Sequence, residues 1–417
     1  MDAFRMEGGA KLVGEVPVSG SKNAVLPMLC ATILAPGVYR LQNVPVLRDV
    51  VTLSTLLRTL GIRVFREGHL LTIDSSGVVP NEAHYELVRT MRASVYVLGP
   101  LLARFGHARV ALPGGCAWGP RPIDFHLQAM ELLGARVRLD HGTIDASGPR
   151  LAGAEIAFST SSVGATGNAL MAAVLAEGKT VISNAAREPE IAALARFLVA
   201  MGARIEGIGT ERLEIEGVAE LHPADASVIP DRIEAGTYLV AGAITGGNLL
   251  LRGADPSILE AVIAVLRECG VEITEEAGGL RVRGGGEFLP VQIETEPYPG
   301  FPTDMQAQLM TLLLLARGTS VIVENIFTDR FKHVPELGRL GGRIHVDGNR
   351  ATVHGVSALT GAPVMASDLR ASAALVLGGL VASGTTEISR VYHIDRGYER
   401  IEEKLSAVGA RIWRVRL

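Results

Sequence analysis

The segment LPGGCAWGPRPIDFH (residues 112–126) contains the residue types best suited to chemistry in this chain. Glycine and proline lie on both sides of Cys116 and prevent regular structure, so the sequence predicts a loop. A thiol on a surface loop near Arg121 would have a lowered pKa and so a larger thiolate fraction. Two interpretations stay open at this point, a functional thiol and an incidental loop cysteine. The other two cysteines, Cys30 and Cys269, lie on apolar helical stretches and are predicted to be core residues.

Other polar groups directly precede apolar helical stretches. GSKNA places Lys22 and Asn23 at a helix start, where backbone N–H groups and one ammonium could bind an anion. An ordinary helix cap with a solvated lysine is the alternative there. The stretch STSSVGATGN (159–168) has the same layout, and phosphate binding and simple capping are both open. In DMQAQL the default interpretation of Asp304 is an N-cap, and DLRASAAL repeats the arrangement and adds Arg370.

Arginines recur on the turns that lead from a strand into a helix. The residues concerned are Arg48, Arg121, Arg187, Arg330 and Arg396. Forked guanidinium donors match carboxylate and phosphate oxygens. A set of arginines converging on one cleft would indicate a substrate with more than one phosphate or carboxylate.

Composition narrows the class of protein. A chain of 417 residues is long enough for two domains of roughly 200 residues each. The net charge of −4 argues against nucleic acid or an anionic membrane as the main partner. We find no secretory signal and no apolar run long enough to span a bilayer. The three cysteines fit neither a disulfide framework nor a zinc site, so we expect a cytoplasmic protein with reduced thiols.

An internal repeat accounts for the whole chain. Strings such as LGIRV, LGARV and MGARI recur at intervals of about 70 residues. Their glycines are Gly61, Gly134, Gly202, Gly270, Gly341 and Gly409. Each copy has an apolar helix, a β-rich stretch, an amphipathic helix ending at the glycine, and a hairpin. The sixth copy lacks its last strand, and residues 1–19 are predicted to supply it. We therefore expect two three-unit domains, residues 20–229 and residues 1–19 plus 230–417, with the site in the cleft between them.

A series of motifs then connects the chain to a known family. The motifs GSKNA, MRASV, PGGCAWGPRPID, SSVGATGN, AREPEI, VIPDRIEAGTY, PTDMQAQ, DLRASAAL and HIDRGYE occur in this order. Together they resemble the UDP-N-acetylglucosamine 1-carboxyvinyltransferase (MurA) family of enolpyruvyl transferases, over essentially the whole chain. The resemblance implies an α/β fold, a two-domain inverted α/β barrel of six βαβαββ-type units with three units per domain.

The resemblance also implies a reaction. The 3′-hydroxyl of UDP-N-acetylglucosamine attacks C2 of phosphoenolpyruvate and phosphate leaves, which is the first committed step of peptidoglycan synthesis. Cys116 would deliver a proton to C3, form a covalent adduct with phosphoenolpyruvate and be the target of fosfomycin, while its loop closes over the substrates. Asp304 would be the base near the attacking hydroxyl, and Lys22 and Arg396 would also be catalytic.

Binding residues are implied in the same way. Those for phosphoenolpyruvate are Lys22, Asn23, Arg121, Arg370 and Arg396. Those for the nucleotide sugar are Arg92, Arg121, Pro122, Ile123, Asp124, Phe125, Thr160, Ser161, Ser162, Val163, Gly164, Asp304 and Ile326. The family often has lysine or arginine where this chain has Thr160, so one charge contact to the diphosphate is absent. No cofactor and no metal are implied, because the arginines and Lys22 cover the anionic charge.

Two other functions were weighed. The shikimate-pathway enolpyruvyl transferase shares the fold and the chemistry, but its active site does not use a cysteine on such a loop. A six-unit clamp on nucleic acid is the non-enzymatic alternative. The negative net charge and the confinement of arginines to turns count against it. Small-molecule substrates, without nucleic acid or membrane, are therefore the expected partners.

Overall fold

The computed structural model describes residues 2–79, 83, 85–88, 91–112, 123–327 and 329–416. The chain divides into two compact units. One is continuous in sequence, residues 20–229, and is called the contiguous unit below. The other combines residues 1–19 with residues 230–417 and is called the split unit. Each unit has its own buried apolar core.

The chain begins with two strands of the split unit and then forms the whole contiguous unit. The first two strands are β1 (Asp2–Glu7) and β2 (Val13–Pro17). The strands of the contiguous unit are β3 (Val38–Gln42), β4 (Arg63–Glu67), β5 (Leu70–Asp74), β6 (His107–Ala111), β7 (Arg136–Asp140), β8 (Thr143–Ser147), β9 (Glu155–Ala157), β10 (Lys179–Ser183), β11 (Arg204–Glu206), β12 (Arg212–Glu216) and β13 (Ala226–Ser227). Its helices are α1 (Lys22–Ala31), α2 (Arg48–Thr59), α3 (Tyr85–Val88), α4 (Leu98–Phe105), α5 (Asp124–Leu132), α6 (Val163–Ala173) and α7 (Pro189–Ala200).

The second part of the chain completes the split unit. Its strands are β14 (Asn248–Arg252), β15 (Glu272–Glu276), β16 (Gly279–Arg283), β17 (Gln292–Glu294), β18 (Thr319–Val323), β19 (Arg343–Asp347), β20 (Arg350–His354), β21 (Pro363–Met365), β22 (Thr385–Ser389) and β23 (Arg411–Arg416). Its helices are α8 (Arg232–Ile244), α9 (Glu260–Glu268), α10 (Gln306–Leu313), α11 (Val334–Arg339), α12 (Leu369–Val381) and α13 (Ile401–Ala407).

The described strands form one sheet for each predicted repeat. The strand orders are β13-β3-β5-β4, β6-β8-β7 and β11-β12-β10-β9 in the contiguous unit, and β15-β16-β14-β2, β17-β18-β20-β19 and β21-β22-β1-β23 in the split unit. Each four-stranded sheet joins one parallel strand pair to antiparallel neighbours, as β9 and β10 do beside β12 and β11. In the three-stranded sheet an isolated parallel bridge between Ala83 and Val110 occupies the corresponding edge. The six-unit α/β architecture is thus confirmed.

The N-terminal segment contributes to two sheets of the split unit. Strand β1 pairs with β22 and β23 and lies between them, as expected for the strand missing from the sixth repeat. Strand β2 pairs in parallel with β14, in the sheet of the fourth repeat. The prediction that the whole segment 1–19 completes the sixth repeat is therefore wrong for residues 13–17. The pattern of β2 is compatible with either sheet, and only the tertiary pairing separates them.

The apolar helices at the start of the repeats are buried almost all round, because their faces carry few charges. In α6 every residue from Ala165 to Ala173 is buried, and in α12 every residue from Arg370 to Leu380 is buried. Cys30 and Cys269 are core residues with no exposed surface, as predicted. Among the described helices, none is long and apolar enough to cross a membrane.

The amphipathic helix of each repeat ends at the predicted glycine. All six of these glycines have a positive φ, between 84° at Gly61 and 107° at Gly409. A left-handed residue at this point ends a helix and directs the chain into the following strand, and glycine adopts it without a steric penalty.

Candidate active site

The split unit brings Asp304 into direct contact with two arginines. Asp304 lies in a 3₁₀ segment, Thr303–Met305, that leads into α10. Its Oδ1 accepts a hydrogen bond from Nη2 of Arg330 at 2.5 Å, and its Oδ2 accepts one from Nη2 of Arg370 at 2.5 Å. The arginine side chains are only 5% and 7% exposed, and that of Asp304 is 25% exposed. One carboxylate thus joins two buried guanidiniums that come from different repeats.

This arrangement fixes the protonation of Asp304. Burial alone would raise the pKa of its carboxyl, but the charges of Arg370 and Arg330 outweigh burial and hold the pKa well below its ordinary value. Burial alone would likewise lower the pKa of the Arg370 guanidinium, and the carboxylate of Asp304 raises it instead. Asp304 is therefore held as the carboxylate and Arg370 as the guanidinium, and in this state Asp304 is a weak base.

Asp304 does not cap α10, although capping is the default interpretation of its sequence. Both of its carboxylate oxygens bind guanidiniums, and neither the 3₁₀ segment nor α10 has a side-chain cap. Asp368 and Asp231, in similar sequence settings, do cap α12 and α8 through backbone N–H groups. The default interpretation is wrong for Asp304 because two nearby guanidiniums compete for its oxygens.

A buried glutamate supports this cluster. Glu324 is 1% exposed and follows β18. Its Oε2 accepts a hydrogen bond from Oγ1 of Thr303 at 2.8 Å, and Oγ1 of Thr303 in turn accepts one from Nη1 of Arg330. Its Oε1 accepts the backbone N–H groups of Ile326 and Phe327 at 2.9 and 3.0 Å. Ile326, a predicted contact of the nucleotide sugar, is thereby tied to the residue that precedes Asp304.

Arg396 occupies the last position of a 3₁₀ segment, Val391–Arg396, and is partly buried. The neighbouring Asp395 accepts two hydrogen bonds from Arg414 of β23, at 2.6 and 3.0 Å. Arg414 also donates to Glu402 at 2.7 Å. The backbone that carries Arg396 is therefore bound to the last strand of the split unit.

In the contiguous unit, Lys22 and Asn23 are the first two residues of α1. The backbone N–H of Ser21 donates to the carbonyl of Ile229 at 2.7 Å, which fixes the start of the helix. Nζ of Lys22 lies 3.7 Å from Oδ2 of Asp49, and the two side chains are 14% and 6% exposed. This ion pair is longer than a hydrogen bond. Asn23 is partly buried.

The predicted nucleotide residues of the contiguous unit lie at the starts of two helices. Ser162 caps α6, with its Oγ 3.3 Å from the backbone nitrogen of Ala165. Residues 161–164 are partly buried and Thr160 is exposed. Asp124 opens α5 and is exposed, with Ile123 at the N-cap.

Contacts of Phe125 and His126 bring these helix starts together. The rings of Phe125 and Phe158 have centroids 5.7 Å apart. A Cβ on Gly164 would lie 2.9 Å from Nε2 of His126, so the turn and α5 approach closely there. Nδ1 of His126 in turn accepts a hydrogen bond from Nδ2 of Asn168 at 3.0 Å. The segment 123–126 and the turn 158–164 are therefore neighbours.

The remaining predicted residues lie outside the described part of the chain. They are Cys116, Arg121 and Pro122. The backbone of Arg92 begins a 3₁₀ segment, Arg92–Val97, but its side chain also lies outside the described part.

One residue of the cluster was not predicted for the site. Arg330 appears in the sequence as one of several arginines on equivalent turns, and nothing local separates it from Arg48 or Arg187. Its contact with Asp304 joins the turn after β18 to the segment before α10, 26 residues away in sequence, and forms only in the tertiary structure. The segments PTD (302–304) and DRF (329–331) contain the acid and the arginine of this pair. The sequence alone does not show that the two turns face each other.

Known proteins resemble this chain in sequence and in fold. The model of the EPSP synthase (3-phosphoshikimate 1-carboxyvinyltransferase) family matches residues 6–405. The UDP-N-acetylglucosamine 1-carboxyvinyltransferase of Anaeromyxobacter dehalogenans (strain 2CP-C) is 58% identical over 422 residues, covering 100% of both chains. The crystal structure of the enolpyruvyl transferase NikO from Streptomyces tendae has a TM-score of 0.91 and 28% identity, covering 99% of each chain.

EPSP synthase from Acinetobacter baumannii has a TM-score of 0.78 and only 19% identity over the full length of both chains, so it shares the fold. The sequence similarity is thus much higher to the relatives that act on UDP-N-acetylglucosamine by name than to this EPSP synthase. The chain belongs to the EPSP synthase family of enolpyruvyl transferases and, within it, to the UDP-N-acetylglucosamine 1-carboxyvinyltransferases.

Proposed function

We propose that this chain transfers the enolpyruvyl group of phosphoenolpyruvate to the 3′-hydroxyl of UDP-N-acetylglucosamine and releases phosphate. The reaction would be the first committed step of peptidoglycan biosynthesis, and it would take place in the cytoplasm. The observation that carries the proposal is the Asp304 cluster, in which two buried guanidiniums lie 2.5 Å from one carboxylate. Each guanidinium has paired N–H donors that match the oxygens of a carboxylate or a phosphate, and phosphoenolpyruvate has both groups.

Binding of phosphoenolpyruvate would use cations from both units. Lys22, Arg121 and Arg396 would hold its phosphate and carboxylate, with Asn23 and Arg370 assisting. Arg330 would join them, because its guanidinium is held beside that of Arg370 by the same carboxylate. These fixed charges would also stabilise the phosphate as it leaves. The proposal therefore needs no cofactor and no metal.

The nucleotide sugar would bind along the helix starts of the contiguous unit. The residues concerned are Arg92, Arg121, Pro122, Ile123, Asp124, Phe125 and the turn from Thr160 to Gly164. Backbone N–H groups at the start of α6 favour an anion such as a diphosphate. Asp304 and Ile326 of the split unit would contact the sugar and place its 3′-hydroxyl.

The chemistry divides into an addition and an elimination. In the addition the 3′-oxygen bonds to C2, Asp304 accepts the hydroxyl proton, and the Cys116 thiol gives a proton to C3. In the elimination C3 loses a proton, the double bond reforms and the C2–O bond to phosphate breaks. General acid–base catalysis of this kind typically contributes about 10²- to 10⁴-fold to a rate.

The ion pairs of Asp304 place a condition on its role as the base. While both oxygens bind guanidiniums, the carboxylate has little affinity for a proton. Asp304 would become a base when an anionic substrate draws Arg370 or Arg330 away from it. The same exchange would keep the two arginines paired with an anion before and after substrate binding, which avoids leaving a buried charge alone.

The acceptor decides between this function and its alternative. EPSP synthases, whose family model matches the chain, transfer the same group to shikimate 3-phosphate by name. We expect phosphate release from phosphoenolpyruvate with UDP-N-acetylglucosamine and none with shikimate 3-phosphate, in a spectrophotometric phosphate assay. Release with shikimate 3-phosphate alone would overturn the assignment.

Two variants test the thiol. Cys116→Ser should lose most of the activity and all labelling by an epoxide antibiotic of the fosfomycin type, with an unchanged circular dichroism spectrum. Cys116→Asp should keep activity and escape labelling, since a carboxylic acid can also deliver a proton. The buried Cys30 and Cys269 serve as internal controls in the labelling experiment. Normal labelling of Cys116→Ser would show that another thiol reacts.

A further inference from the structure

Tyr398 is a buried side chain that connects several parts of the Asp304 cluster. It follows Arg396 by two residues, precedes α13 and is 2% exposed. Its hydroxyl lies 2.9 Å from Oγ1 of Thr237 on α8 and 3.2 Å from Nε2 of Gln308 on α10. Helices α8 and α10 of the split unit are therefore joined through this one hydroxyl.

The direction of these hydrogen bonds follows from counting protons. The hydroxyl of Thr237 has one proton, and it donates to the carbonyl of Ile233 at 2.8 Å. Tyr398 must therefore donate to Thr237. Nε2 of Gln308 lies 3.2 Å from both hydroxyl oxygens, so Tyr398 and Thr237 share it as acceptors. Nε2 of Gln308 also donates to the backbone carbonyl of Asp304 at 3.0 Å. The Tyr398 hydroxyl is thus linked, through one amide group, to the backbone of Asp304.

The ring of Tyr398 acts on the other partner of the ion pair. Cζ of Arg370 lies 5.9 Å from the ring centroid, within the range of a cation–π contact. The same guanidinium bonds to Oδ2 of Asp304 at 2.5 Å. One tyrosine therefore contacts Arg370 with its ring and holds Asp304 through its hydroxyl and Gln308.

We propose that Tyr398 is a positioning residue for enolpyruvyl transfer, because it sets the distance and orientation between Arg370 and Asp304. The inference rests on the proposed function, in which these two residues exchange partners with the substrates. A buried side chain is closely packed and has little room to move, so Tyr398 can hold both groups while Arg370 shifts between Asp304 and a substrate anion.

A matched pair of variants isolates the hydroxyl. Tyr398→Phe removes the hydroxyl and keeps the ring beneath Arg370. Tyr238→Phe makes the same chemical change at a tyrosine of α8 that is also fully buried, and whose Oη has no hydrogen-bond partner among the residues that the structure describes. Both variants lose a buried hydroxyl from the split unit. Only the hydroxyl of Tyr398 belongs to the series of hydrogen bonds that reaches Asp304.

The expected result is a kinetic difference between the two variants. For Tyr398→Phe we expect kcat to fall about five- to tenfold and KM for phosphoenolpyruvate to rise, since the Gln308 amide loses one of the two hydroxyl acceptors that hold it next to Asp304. KM for UDP-N-acetylglucosamine should change less than twofold. Tyr238→Phe should match the parent in all three constants. Parent values for Tyr398→Phe, or equal changes in both variants, would overturn the inference.

A second measurement does not require activity. In urea unfolding we expect Tyr398→Phe and Asp304→Asn to be non-additive, because they act on one connected network. Tyr238→Phe and Asp304→Asn should be additive. If the parent fails to transfer the enolpyruvyl group to UDP-N-acetylglucosamine, the proposed function fails. The double-mutant cycle of Tyr398→Phe with Asp304→Asn still shows whether Tyr398 positions Asp304. Additivity of Tyr398→Phe with Asp304→Asn would overturn the positioning role.

Discussion

In the split unit the acid before α10 is bonded to two guanidiniums at 2.5 Å, whereas in the contiguous unit the lysine that opens α1 lies 3.7 Å from one carboxylate. The first site is surrounded by partly buried hydrogen bonds that involve Thr303, Glu324 and Gln308. The proposed nucleotide turn of the contiguous unit is partly or fully exposed, with one weak cap at Ser162.

The difference indicates a division of labour between the two units. The Asp304 cluster is tightly paired and largely buried, and such a cluster is preorganised for charge that develops during a reaction. Half-exposed helix starts are better suited to binding a large polar ligand, whose contacts are spread over many backbone groups. Each prediction below changes one of the two regions and compares the result with the other.

The largest effect is expected from Asp304→Asn. Removal of the proposed base should lower kcat by roughly 10²- to 10⁴-fold, with a smaller change in KM for either substrate. Asp124→Asn in the contiguous unit should instead raise KM for UDP-N-acetylglucosamine and leave kcat near the parent value. Steady-state kinetics with purified variants distinguishes the two patterns. Equal kcat values for both variants would contradict the division of labour.

The next effect concerns stability. Arg330→Met leaves Asp304 with one guanidinium and should lower the free energy of unfolding by about 3 kcal/mol, since one partner of a buried pair is removed. Lys22→Met breaks a longer contact and should cost about 1 kcal/mol. Urea denaturation followed by circular dichroism measures both.

Arg411→Met provides the control for loss of an arginine. Arg411 pairs with Glu7 at 3.3 Å, and the two side chains are 58% and 47% exposed. Exposed pairs contribute little, so this variant should unfold close to the parent. A loss for Arg411→Met as large as that for Arg330→Met would show that the effect is not specific to the cluster.

Acid should weaken the split unit through Asp304. Its folded pKa lies well below the ordinary value of 3.8, so the stability that it contributes is present above pH 3.8 and is lost as pH falls below that value. We expect the difference in unfolding free energy between the parent and Asp304→Asn to narrow in this range. For a single carboxyl, the unfolding free energy changes by at most about 1.4 kcal/mol for each unit of pH. A difference that stays constant down to pH 3 would contradict this prediction.

The smallest effect is a gain in the contiguous unit. Thr160 is exposed at the start of the proposed diphosphate turn, where the family resemblance implies a lysine or an arginine. Thr160→Lys should lower KM for UDP-N-acetylglucosamine by about two- to fivefold at low salt, and the gain should shrink as salt screens the charge. Thr160→Gln, similar in length and uncharged, is the control. A gain of equal size for both would assign it to packing.

The sequence predicted the architecture well because the repeat is carried by local signals. Helix-stopping glycines, apolar helices and alternating strands specify each unit without information from its neighbours, and all six sheets follow from them. The assignment of β2 failed for a complementary reason. Its strand pattern VGEVP fits any half-buried edge, and the choice between two sheets of the same unit depends on contacts far apart in sequence.

The candidate site was predictable only in part. Motif resemblance pointed to Asp304 and Arg370, and the structure places them in contact. Arg330 was missed because five arginines occupy similar turns, and pairing depends on which turns face Asp304. The helix-cap interpretation of Asp304 failed because capping rules treat a helix in isolation, while here the two charged partners come from the turn after β18 of the same repeat and from α12 of the next one.

The position of β1 between β22 and β23 also has a consequence for synthesis on the ribosome. The contiguous unit can fold as soon as its residues have emerged, whereas β1 must wait for strands made more than 370 residues later. At bacterial-scale rates of 5–20 residues per second this delay is roughly 20 to 80 seconds. During that time β1 is an unpaired β-segment, and it depends on partners from a distant part of the chain.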